Sequence, residues 1–75
     1  MLEIERTVHE FAEAMIAKLK LKEVQGFGDW KEVSSDVLLD GLEGHLIKAR
    51  RLGRPVDYVD VAAYAMFLWD HLRTV

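Results

Sequence analysis

The chain has no cysteine among its 75 residues. That excludes a disulfide framework and any thiolate metal site. No run approaches the ~18 consecutive apolar residues of a membrane span. The N-terminal MLEIERTVHEF carries acids early and has no apolar h-region, so a secretory signal is not expected. An excess of positive charge is missing too. The formal net charge of −3 argues against a general nucleic-acid binder, which needs a cationic footprint for phosphates. There is no HExxH, no glycine-rich phosphate loop after a strand, and no Ser/His/Asp or Cys/His set. The expectation is a cytoplasmic protein, of a bacterium or a phage-infected cell, with no membrane partner.

What is present is apolar and helical. Hydrophobic residues make up 51%, too many for a disordered chain. The length allows one domain, residues 1–75, and a domain this small needs reinforcement. The periodicity predicts an all-α fold with helices at about 2–23, 35–52 and 57–73. In the first, Ile4, Val8, Phe11, Met15 and Leu19 recur at spacings of three and four, with Ala12 and Ile16 widening the stripe. Its acids come early (Glu3, Glu5) and its lysines late (Lys18, Lys20, Lys22), which suits the helix dipole. In the second, Ser34 or Ser35 is the N-cap, and Leu38, Leu39, Leu42, Leu46 and Ala49 form the stripe. Gly53 suits the position after that helix, and Pro55 reads as a stop. The third helix has almost no polar face through VAAYAMFLW, so it must be covered on every side. Two partner helices cannot easily do that, which predicts self-association.

Several groups are candidates for chemistry. Asp57 and Asp60 lie one turn apart. They read either as capping acids at a helix start or as ligands for a hard cation such as magnesium. Gly41, Gly44, His45, Lys48 and Arg51 fall on one side of the second helix. Two glycines there mean close approach, either a tight helix crossing or a cationic cleft for an anion. In the second case Lys48, Arg51 and His45 would donate to phosphate oxygens. Lys48, Arg50, Arg51 and Arg54 also read as cations favouring a helix C-terminus. Phe27 and Trp30, in the loop before the second helix, either stack on a base or seal the core. Tyr64 reads as core or ligand contact, and His9 as part of a solvated face.

The segments FAEAMIAKL, GFGDWKEVSSDVLLDGL and DYVDVAAYAMFLWD span most of the chain. Together they resemble the small all-α nucleoside triphosphate pyrophosphohydrolases of the MazG-like group, including short phage-encoded members. The last segment resembles that family's ExxD-led helix, with Asp57 and Asp60 in the acidic positions. The resemblance implies a three-helix MazG-like protomer that completes a helical bundle by homo-oligomerisation. It also implies magnesium held by EExxE on one helix and ExxD on the next, and cleavage between the α and β phosphates. The chain departs from that pattern: Gly44, His45 and Lys48 stand where EExxE would lie.

The expectation is therefore a non-hydrolysing MazG-like protein that needs no cofactor. It would bind a nucleotide or cyclic nucleotide through phosphate contacts, with sequestration in a phage setting as its use. Its ligand set would be His45, Lys48, Arg51, Gly41, Gly44, Trp30, Phe27 and Tyr64. Two alternatives stand beside it. One is a magnesium-dependent pyrophosphohydrolase using Asp57, Asp60 and Glu43, with His45 as a further candidate. The other is a helical module that binds or inhibits a protein.

Overall fold

A computed structural model of the protein describes residues 2–24 and 29–73. It is all-helical, with no strand among the described residues. Helix α1 spans Leu2–Val24, a short 3₁₀ turn spans Trp30–Glu32, α2 spans Ser35–Leu52 and α3 spans Pro55–Arg73. None of the described helices is long and apolar enough to cross a membrane.

Local chemistry sets the boundaries. Ser34 is the N-cap of α2, and its hydroxyl accepts from the Val37 N–H at 3.3 Å. This satisfies one of the donors a helix start leaves free. Gly53 ends α2 at φ 63°, ψ 26°, and its N–H donates to the Ala49 carbonyl at 2.8 Å. Only glycine takes that left-handed geometry without strain. Pro55 then opens α3 rather than merely stopping α2, two residues earlier than the sequence predicts. Its fixed φ suits the first helical position, where the missing N–H is not needed. Asp57 therefore sits inside the first turn and is not the N-cap.

Packing centres on the α2–α3 pair. Leu38, Ala63, Phe67 and Leu68 are buried together, with Met15, Leu19, Trp30 and Leu42 partly buried around them. Gly41 lets the helices cross closely: a Cβ there would clash with the edge of the Tyr64 ring. Of the two close approaches expected at the glycines, this one is a helix crossing. Gly44 faces open space.

The predicted stripes are only partly used. No residue of α1 is buried. Met15 and Leu19 pack on the core, whereas Ile4, Val8 and Phe11 remain uncovered. In α2, Leu38 and Ala49 are buried, but Leu39 and Leu46 are not. Helix α3 buries Val59, Asp60, Ala63 and Phe67 on one side. Tyr58, Ala65, Trp69 and Leu72 line its opposite, exposed side. Periodicity reports which face is apolar, not how much of it one protomer can cover.

Candidate functional site

Helices α1, α2 and α3 enclose a cleft of about 330 Å³. Leu38, Ala63 and Phe67 form its apolar floor. The Trp30 ring stacks on Phe67, with centroids 4.6 Å apart and planes 17° from parallel. Tyr64 meets Phe67 edge-on at 5.8 Å, and His45 stacks behind Tyr64 at 5.0 Å. Trp30 is held from its backbone as well. Its carbonyl lies 3.2 Å from His71 Nε2, and since a carbonyl only accepts, that nitrogen is the donor. Trp30 thus closes the end of the core and forms a wall of the cleft at once.

The polar part of the cleft converges on Asp60. This carboxylate is 7% exposed, in keeping with its place on the inner side of α3. One oxygen pairs with Lys18 Nζ at 2.5 Å, and the other lies 3.8 Å from His45 Nδ1. A carboxylate this buried needs a partner, and Lys18 supplies the opposite charge from a different helix. Lys22 and Asp29 also line the cleft. Lys18 and Lys22 follow Met15 at helical spacing, so they share its side of α1. In the sequence they read only as dipole cations. Lysines placed within an apolar stripe were the signal for this cleft.

Asp57 is in a different situation. It is 1% exposed and takes two hydrogen bonds from Arg54, Nε to Oδ2 and Nη2 to Oδ1, both at 3.0 Å. These bonds hold the Asp57 carboxyl below its usual range. Burial pulls the other way, and the charges of Arg54 and Lys48 add to the lowering. The same pairing raises Arg54 above its ordinary value. Both oxygens of Asp57 are thus occupied by a cation from the preceding turn. Glu43 is exposed, and among the described residues no three His, Asp or Glu side chains are grouped to hold a metal. The expected Asp57, Asp60 and Glu43 set is not assembled, because helix α2 turns Glu43 outward.

The expected ligand set divides. Trp30, Gly41 and Tyr64 line the cleft, and His45 stands beside it. Gly44, Lys48 and Arg51 line a separate depression of about 350 Å³ with Ile47 and Leu52. The two cavities share no lining residue, so the side of α2 read as one surface serves two. Phe27 lies outside the described residues. The cleft can take a small, flat apolar group against Trp30 and Tyr64, with an anionic end directed to Lys18 and Lys22.

Comparison of this chain with protein-family models, with curated proteins and with solved structures finds no match in any of the three.

Proposed function

We propose that this chain is a MazG-like protomer that binds a nucleotide, or a nucleotide-derived signal such as a cyclic nucleotide, without hydrolysing it. It completes its helical bundle by homo-oligomerisation. The observation that carries this reading is the partnering of the two acids in DYVD. Asp60 carries Lys18 and Asp57 carries Arg54. A metal-dependent hydrolase needs such carboxylates free to gather cations that activate water. Here a lysine ammonium stands on the acid that faces the cleft, so the local field is already neutralised.

The rest of the cleft supports the binding half of the reading. Its volume is at the lower end of small-molecule sites, about 300–1,000 Å³. Its apolar floor and aromatic walls suit a base, and base stacking contributes about 1–3 kcal/mol. Lys22, and Lys18 where a phosphate shares it with Asp60, supply charge-assisted donors for phosphate oxygens. Retention without turnover is what sequestration of a signal in a phage-infected cell requires.

The test is titration calorimetry across nucleoside mono- and triphosphates and cyclic nucleotides, run in a chelator. A parallel assay follows pyrophosphate release with magnesium or manganese. Binding that persists in the chelator without pyrophosphate release is the expected result. Catalytic pyrophosphate release overturns the non-hydrolysing part, and a panel with no binding overturns the rest.

A further inference from the structure

Helix α1 leaves the N-terminal part of its apolar stripe uncovered, and exposed residues beside that stripe extend it. Ile4 and Phe11 are seven residues apart, and Thr7, Ala14 and Leu21 repeat at the same interval. Interleaved, 4, 7, 11 and 14 follow the alternating three-and-four spacing of a helix-pairing seam, and 21 resumes it one heptad on, past Lys18, which turns to Asp60. All five are exposed, with Ile4 at 66% and Leu21 at 59%. Thr7 and Ala14 are small and permit close approach. The helix is about 34 Å long at 1.5 Å per residue, so the seam is a substantial surface.

Charge decides what fits it. The stretch Leu2–Phe11 holds three acids against one arginine, a net −2. From Lys18 to Val24 there are three lysines against one acid, a net +2. A parallel copy would set like charge on like. An antiparallel copy sets acidic end on basic end, and one register pairs its four apolar positions. With the two-fold axis between Ala12 and Glu13, Ile4 is level with the partner's Leu21 and Phe11 with the partner's Ala14. Glu3 is level with the partner's Lys22. Such an interface is self-complementary, as a two-fold contact must be.

We propose that a second copy of this chain docks antiparallel along the exposed seam of α1. The inference rests on the homo-oligomerisation in the preceding reading and gives it a surface, an orientation and a register. Its readout is association and needs no nucleotide, although Lys22 also lines the cleft.

Sedimentation velocity at tens of micromolar is expected to find the wild type associated. Ala14→Arg places a long cation at the closest approach, so it should weaken association at least tenfold with unchanged helical circular dichroism. Glu3→Lys and Lys22→Glu should each associate poorly alone and well when mixed. The native chain lacks cysteine, so Glu3→Cys reports direction. It should not cross-link to itself, but should cross-link to Lys22→Cys. A monomeric wild type overturns both this interface and the self-association above. An oligomer indifferent to Ala14→Arg but broken by Trp69→Glu overturns the α1 seam alone. Self-cross-linking of Glu3→Cys overturns the antiparallel direction.

Discussion

The Lys18 ammonium sits on the Asp60 carboxylate, joining α1 to α3 across 42 positions of sequence at the wall of the cleft. Among the described residues it ties α1 to α3 through charge, and it fixes where a ligand's charge can be met. Whatever enters the cleft anionic end first must share or displace this pair.

Replacing Lys18 by Met should therefore act on stability and binding together. It leaves a buried carboxylate without its cation. Loss of a fully buried partner costs about 3–5 kcal/mol, and the partial exposure of Lys18 reduces this to about 1–3 kcal/mol. The double replacement Lys18→Met with Asp60→Leu should recover most of that loss, since neither charge is then stranded. Urea denaturation of the four proteins in the cycle gives the coupling directly.

The two mid-helix glycines should respond to alanine with opposite signs. At Gly44 nothing lies within 4 Å of a new Cβ, so only the helix propensity changes. Gly44→Ala should stabilise by up to about 1 kcal/mol. At Gly41 the new methyl collides with the Tyr64 ring, which is held in turn by Phe67 and His45. Gly41→Ala should destabilise by about 1–3 kcal/mol, the range for overpacking. Thermal melts of both variants, with Gly41→Ala/Tyr64→Leu as the relief of the clash, check the pair.

These glycines also mark what a sequence can and cannot give. Ser34, Gly53 and the three helical spans were legible because capping and periodicity are local. Gly41 and Gly44 look alike in sequence and differ only in what a distant helix places opposite them. Pro55 was ambiguous because proline suits both the residue after one helix and the first residue of the next. With a two-residue connection, Gly53 and Arg54, those positions nearly coincide. Lys18 went unread as a site residue because its partner is on α3. Asp57 and Asp60 were visible as a pair, but nothing local shows that each would bring its own cation.

Acid should weaken the fold through Asp57. Its folded pKa lies below the unfolded value because of the Arg54 hydrogen bonds. A depressed carboxyl contributes stability above its unfolded pKa of about 4 and loses it as pH falls through the folded value. Stability should thus decline below about pH 4 and be flat in this respect near neutrality. Asp57→Asn should lower the neutral-pH melting temperature and flatten the acid limb. An acid limb in Asp57→Asn as steep as the wild type would assign the effect to other carboxylates.

The choice between the two cavities can be read from one tryptophan. Trp69 is 60% exposed on the outer side of α3, packed under the Arg73 guanidinium, so Trp69→Phe should fold normally. It leaves Trp30 as the sole indole, stacked on Phe67 at the cleft wall. A nucleotide stacking on Trp30 in the cleft should change its emission, because the ligand replaces solvent or the Lys31 ammonium, 5.5 Å from the ring centroid, against the indole. A nucleotide held at Lys48 and Arg51 would not, since that depression shares no residue with the cleft. Lys48→Ala/Arg51→Ala should leave the Kd within about twofold. Lys18→Met should raise it at least tenfold, about 1.4 kcal/mol. A silent Trp30 combined with binding lost in the Lys48/Arg51 variant would move the site to the outer face of α2. The phosphate contacts would then be those on which the sequence alone first drew attention.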